Sequence, residues 1–350
     1  MRRKTELSIF AVRSKSDYGL FHRILIYFLV DILMRLQKIM ALTCISVLAL
    51  TCYRGEDFNW PVIWGEQFID MDKVIWGNGE FIANGGVMNK SVDGKTWVRS
   101  DTGVGNLIWG GGQYVEIGIL GFSISISPDA VTWRTTLKTY PSVELHDIVW
   151  DNSQYIAVGD AGTIMISPDG ISWTSVNSGI TEDLQRIIWG RGRYILFSGK
   201  FYRMTKVYTS TDGLVWSKID FPADVILAEQ TFKDATWGEP GFVISGEPLS
   251  YFSSDGVTWK KLDQPLSAEA IIWCNDSRQY IGVKSGGGWF DAPRIYTSDE
   301  GNIWYEHINT KYAGDMFFSM YFTSIACHGD TYVAGGNCEG NSYSCLMYSP

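Results

Sequence analysis

Ser167-Pro168-Asp169-Gly170-Ile171-Ser172-Trp173 decides the fold, because near copies of it return along the chain. The stretch reads as a tight turn joining two strands. Asp169 can hydrogen-bond the turn backbone, Gly170 supplies a φ that other residues resist, Ser167 ties the entering strand, and Trp173 buries its ring beneath the turn. Copies run from Ser91 to Trp97, Ser127 to Trp133, Ser210 to Trp216 and Ser253 to Trp259, and a looser sixth runs from Thr297 to Trp304. Successive box tryptophans are 36 to 45 residues apart, the length of one four-stranded propeller blade. Helical solenoids share that period, but the segments between boxes are short, β-branched or aromatic, and punctuated by Gly, which favours strands.

Each repeat carries two further marks. An apolar strand ending in Trp precedes the box: Val74-Ile75-Trp76, Leu107-Ile108-Trp109, Ile148-Val149-Trp150, Ile187-Ile188-Trp189, Ala235-Thr236-Trp237 and Ile271-Ile272-Trp273. A seventh, Ile325-Ala326-Cys327, has Cys in the Trp place. An aromatic-led strand follows, such as Tyr155-Ile156-Ala157-Val158-Gly159. Seven first strands predict an all-β, seven-bladed β-propeller. The seventh repeat stops at Met347-Tyr348-Ser349-Pro350, before the rest of its box, while Trp60 lies as far ahead of Trp76 as Trp173 lies ahead of Trp189. Residues near Phe58 to Trp64 are therefore expected to form the outermost strand of the last blade, closing the ring by pairing N- and C-terminal segments and hiding the edges of an open ring. A truncated reading frame is the alternative.

These boxes resemble the Asp-box (BNR) repeat, S-x-D-x-G-x-x-W, of sialidases, sortilin-type receptors and other propellers. The Thr297 copy has that full spacing, whereas the other five are one residue shorter between Asp and Trp. The combined pattern also resembles bacterial propellers related to the photosystem II assembly and stability factors, across residues 58–350. The resemblance implies the propeller fold and says little about function.

Residues 1–52 do not belong to the repeat, which is assigned to 53–350. Tyr18 to Met34 is apolar but holds His22, Arg23 and Asp31, and a charge at the centre of a spanning helix costs roughly 2.5 to 3.5 kcal/mol. A better export signal starts at Met34, with Arg35 and Lys38 ahead of the apolar run Ile39 to Leu50. Met34 and Met40 are candidate translation starts. Cys52 follows Leu48-Ala49-Leu50-Thr51, loosely a lipoprotein processing box, although Thr51 is larger than the usual residue before the Cys. A cleaved secretion signal, a lipid on Cys52 that tethers the chain to a membrane, and a retained anchor all predict export, to the periplasm, the outer membrane or the outside.

Four cysteines lie beyond that segment. Cys338 and Cys345 flank a loop that a local disulfide could close, while Cys274 and Cys327 sit on corresponding strands of neighbouring blades. No metal site and no cofactor are expected, since His328 is the only nearby His and no C-x-x-C pair exists. The net charge is −9, and without residues 1–52 there remain 21 basic against 35 acidic residues, or −14. This argues against nucleic acid and anionic lipid as primary partners. A monomer is expected.

Asp93, Asp129, Asp169, Asp212, Asp255 and Asp299 repeat at turns, so a structural role is expected for them rather than catalysis or calcium binding. Function should lie where the repeats differ. The residues just before each first strand should circle the upper mouth of a central channel: Asp72/Lys73, Gly105/Asn106, His146/Asp147, Gln185/Arg186, Lys233/Asp234, Glu269/Ala270 and Thr323/Ser324. Two loops on the same face, Phe201-Tyr202-Arg203 and Gly286 to Asp291 with Trp289 and Phe290, add aromatic and Arg anchors. A protein or peptide partner fits this mixed surface best, with an envelope assembly role in prospect and a glycan as the alternative. Catalysis is the less favoured reading: the R-I-P segment and Arg cluster of sialidases are missing, as are G-x-S-x-G and phosphate-loop motifs. A glycoside hydrolase would pair Asp147 with Asp234 or Glu269 across the mouth.

Overall fold

The computed structural model describes residues 62–64, 73–85, 87–100, 105–118, 120–139, 142–200, 203–221, 231–286, 293–308, 319–339 and 343–349. The chain divides into a unit of residues 1–55 and a unit of residues 56–350, and every described residue lies in the second. Cys52, Tyr202, Trp289 and Phe290 fall outside the described residues.

Local sequence sets each strand. In one repeat Leu145–Trp150, Tyr155–Gly159, Ile164–Ser167 and Thr174–Ser175 pair in sequence order, all antiparallel, with Trp150 opposite Tyr155 and Tyr155 opposite Ser167. Buried aliphatics of neighbouring repeats pack between sheets: Ile156, Val158 and Ile164 of this one meet Leu184, Ile187, Tyr194 and Leu196 of the next. Among the described residues the strands form five separate four-stranded sheets and one eight-stranded sheet, in which two four-stranded sets are joined by a single pairing of Arg203 with Thr231. One sheet combines Val62–Trp64 with Ser319–His328, Thr331–Glu339 and Tyr343–Tyr348, and Val62 stands opposite Met347.

The opening strands touch in succession. Lys73–Gly77 lies against Gly105–Gly110, that against Leu145–Trp150, then Leu184–Gly190, Thr231–Gly238, Ala270–Cys274 and Ser319–His328, and the last lies against Lys73–Gly77 again. Two side-chain devices hold neighbours together. The leading Tyr of a second strand donates to the turn of the preceding sheet, as from Tyr114 to the Gly77 carbonyl at 2.8 Å and from Tyr280 to the Gly241 carbonyl at 2.6 Å. The Gly after a first-strand Trp is the floor for the next sheet's Trp: a Cβ at Gly77 would sit 2.4 Å from Trp109 Cβ, and one at Gly238 2.5 Å from Trp273 Cδ2.

The box turns use their Asp as the N–H acceptor the chain needs. Asp169 Oδ1 accepts from the amides of Ile171 and Ser172, both at 2.8 Å, and Trp173 Nε1 donates to the Gly170 carbonyl at 3.0 Å. Asp93, Asp129, Asp212 and Asp255 each accept the same pair of amides. Asp299 stands one place off this pattern. Ser298, opposite Tyr280, holds the Gly301 amide at 2.8 Å as Ser167 holds that of Gly170, so Glu300 falls in the Asp position and Asp299 instead accepts from Gln279 Nε2 at 2.8 Å.

Candidate functional site

A cavity of about 1100 Å³ runs between the opening strands. Its upper end, where those strands begin, is lined by Lys73, His146, Gln185, Arg186, Lys233, Asp234, Glu269 and Thr323, and its lower end by Trp76, Trp273, Cys327 and His328. A side recess of about 370 Å³ shares Lys73, His146, Arg186 and Thr323 with it. Arg203 reaches the cavity from the outer part of its blade, beside the apolar Phe197, Met204 and Phe232.

Backbone irregularity presents the upper residues. In four opening strands the register slips at one place: between Leu145 and Asp147, Leu184 and Arg186, Phe232 and Asp234, and Phe322 and Ser324. Such a bulge inserts one extra residue into its strand and re-aims the side chain. The inserted residues are His146, Gln185, Lys233 and Thr323, and all four line the cavity.

The residue after each bulge does different work. Asp147 Oδ2 accepts the Ile187 amide at 2.9 Å, Asp234 Oδ2 the Ile271 amide at 2.9 Å, and Ser324 Oγ the Val74 amide at 3.0 Å, so each ties its sheet to the next. Arg186 spans two of them, with Nη2 at 2.7 Å from Asp234 Oδ1 and Nε at 3.6 Å from Asp147 Oδ2. Asn106 Nδ2 completes the row with a 2.9 Å bond to Asp147 Oδ1. The expected carboxylate pair of Asp147 and Asp234 thus shares one guanidinium, and each carboxylate is also held by a backbone amide.

The remaining charges are mostly matched. Lys233 Nζ lies 3.7 Å from Glu269 Oε1, whose other oxygen accepts the Ser285 amide at 2.7 Å. His146 Nε2 is 2.9 Å from Asp160 Oδ1, and its Nδ1 is 4.0 Å from Glu144. Lys73 and Arg203 are the exceptions among the described cations of the cavity lining, with no ion pair inside 4 Å. Burial, then the charge of Arg186, pushes the Lys73 ammonium below its ordinary value, against the opposing pull of Asp147 and Asp234. Burial also acts on Arg186, but Asp234 and Asp147 outweigh it and hold that guanidinium above its ordinary value.

The lower end carries a disulfide between Cys274 and Cys327, with Cα atoms 5.9 Å apart. Beside it the Trp76 ring stacks on His328, centroids 3.8 Å apart. Cys338 and Cys345 do not face each other along the backbone: Cys338 is opposite Tyr343 and Cys345 opposite Gly336. Their side chains lie outside the described residues. No cluster of three or more metal-ligating side chains occurs among the described residues, and no described helix is long and apolar enough to cross a membrane.

No protein-family model and no curated protein matches the chain. Solved structures do. YCF48 bound to D1 peptide is 13% identical, covers 83% of this chain and 96% of its own, and superposes with a TM-score of 0.61. A virginiamycin B lyase from Staphylococcus aureus, solved with quinupristin, is 10% identical over 83% of this chain and 99% of its own, with a TM-score of 0.62. A streptogramin B lyase is 10% identical over 84% and 99%, with a TM-score of 0.61. At these identities the likeness establishes a β-propeller and nothing finer. It also corrects the preference against catalysis. That preference came from missing hydrolase motifs, yet two of these similar propellers are lyases, so the architecture is one that enzymes use, and by chemistry other than glycoside hydrolysis.

Proposed function

We propose that residues 53–350 form a seven-bladed propeller of Asp-box type, closed by its N- and C-terminal strands, that binds a protein or peptide partner at the upper mouth of its channel. Residues 1–52 are its export signal or membrane tether. The closure is supported by the pairing of Val62–Trp64 with Tyr343–Tyr348 and by the succession of opening strands that returns to Lys73–Gly77.

The observation that carries the binding reading is the set of four bulges that turn His146, Gln185, Lys233 and Thr323 into one cavity around the unpaired Lys73. Cations without an ion-pair partner, Lys73 and Arg203, favour a ligand that brings a carboxylate, and the partly buried Phe232 lines the same cavity. A propeller of similar fold has been solved with a bound peptide, which supports the same class of ligand here.

The test is capture from native cell envelopes by the full chain and by a folded Lys73→Glu, Lys233→Glu variant. A protein or peptide held by the wild type and lost by the variant is expected. Retention of the same set by both, or of glycans alone, would overturn the reading.

A further inference from the structure

The face opposite that mouth has its own character. Every box turn exposes an aliphatic side chain at its tip: Val92, Val131, Ile171, Val215, Val257 and Ile303 are 43–74% exposed, one from each of six turns, and Leu214 accompanies Val215. On the upper face the described residues expose only Leu120 and Tyr321 among large apolar side chains. Single exposed aliphatics are ordinary. Their recurrence on one end of successive sheets, at turn positions where the fold asks only for a polar or small residue, is not explained by packing.

A second, independent observation concerns where the chain enters the fold. Val62–Trp64 is antiparallel to Tyr343–Tyr348, with Val62 opposite Met347. Two residues beyond Met347, Ser349 exchanges hydrogen bonds with Tyr332, its Oγ accepting the Tyr332 amide at 2.9 Å and its amide donating to the Tyr332 carbonyl at 2.9 Å. That is the place of a box Ser, as Ser167 stands opposite Tyr155. The Val62 end, where the described chain begins, therefore lies at the box-turn end of its sheet.

We propose that the box-turn face rests on a lipid bilayer, the aliphatic tips dipping into its interface, so that the channel mouth with Lys73 points away from the membrane. An interfacial surface of this kind gains affinity from apolar area. The lipid must be zwitterionic at the contact, because the box carboxylates stand at the same tips: the Thr96 and Lys95 amides hold Asp93 at about 2, and the Thr132 and Val131 amides hold Asp129 at about 2, so both remain anionic at neutral pH. This inference rests on the tethering role proposed for the N-terminal segment and is independent of what binds the mouth.

The experiment uses the full chain on phosphatidylcholine vesicles, with the photocrosslinker p-benzoylphenylalanine introduced singly at positions 171, 215 and 257, or at position 200 on the upper side, where Lys200 is 71% exposed. Flotation reports the tether and lipid adducts report the face. Adduct yields roughly tenfold higher at the three tips than at position 200 are expected. Flotation with equal yields, with no adducts, or with protein–protein adducts at the tips overturns the face assignment alone. A chain that does not float overturns the tether and this inference together, leaving the partner reading at the mouth untouched.

Discussion

Cys274 and Cys327 are bonded across two sheets at the place where four other junctions join a glycine to a tryptophan. Cys274 follows its first-strand Trp273 as Gly238 follows Trp237, and Cys327 ends its strand as Trp273 ends the previous one. One step further round, His328 takes the glycine place and stacks on Trp76. These two junctions thus replace one kind of inter-sheet contact with another, and a third departs as well, where Asp151 follows Trp150 and accepts the Tyr194 hydroxyl.

Reducing this disulfide should therefore loosen one junction without unmaking the architecture. It closes a sequence separation of 53 residues, for which about 2–4 kcal/mol of stabilisation is usual. Thermal melts with and without reductant measure the loss. The paired change Cys274→Gly with Cys327→Trp should recover much of it by restoring the commoner contact, whereas Cys274→Ala with Cys327→Ala should not. An unchanged melt in reductant would sink the assignment.

Arg186 holds two carboxylates whose other bonds stitch four sheets. Replacing it by Met leaves Asp147 and Asp234 facing each other uncompensated, and removing one member of a buried pair costs about 3–5 kcal/mol. A quarter of the Arg186 side chain is exposed, so the lower end of that range is expected. Asn106→Ala, which removes a bond to Asp147, should cost about 1 kcal/mol. Denaturant unfolding midpoints compare the two, and equal effects would contradict the central place given to Arg186.

The architecture was legible because its signals are periodic and local: the box, the strand ending in Trp and the aromatic-led strand each repeat in the chain. The starts of the opening strands were legible for the same reason, as positions counted back from each first-strand Trp. What each residue does there was not, since His146 and Asp147 are adjacent in sequence and a bulge, which leaves no periodic trace, separates their tasks. The sequence puts Cys274 and Cys327 on corresponding strands of neighbouring repeats, but that their bond stands in for a glycine-to-tryptophan contact is seen only from packing, in which Gly77 and Gly238 lie under the next sheet's Trp. Asp299 shows the converse, a sequence match that slipped by one residue because Ser298, not Thr297, holds the register.

The box turns should govern acid stability. The Thr96 and Lys95 amides lower Asp93 to about 2 from 3.8, and Asp129, Asp169 and Asp212 are lowered by the equivalent amides. A carboxyl depressed in the fold contributes stability that is present above its unfolded value and is lost as pH falls through the folded one. The melting temperature should hold down to about pH 4 and drop steeply towards pH 2. Changing Asp93, Asp129, Asp169 and Asp212 together to Asn should lower it at pH 7 and flatten that acid limb. An equally steep limb in the folded variant would place the acid sensitivity elsewhere.

Lys73 should trade stability against binding. Burial first, and Arg186 second, depress its ammonium below 10.5, so between the folded value and 10.5 the unfolded chain binds more protons and the wild-type fold gains stability as pH rises. Below that window the charged form is a standing penalty. Lys73→Met removes the penalty, and we expect a higher melting temperature than wild type at pH 7, with the difference shrinking as pH is raised towards 10.5. The same variant should lose the partner captured at the channel mouth, the usual exchange where a binding group is held in an unfavourable place. A variant that melts lower at pH 7 and still holds the partner would show that Lys73 is a packing residue whose charge the cavity already satisfies.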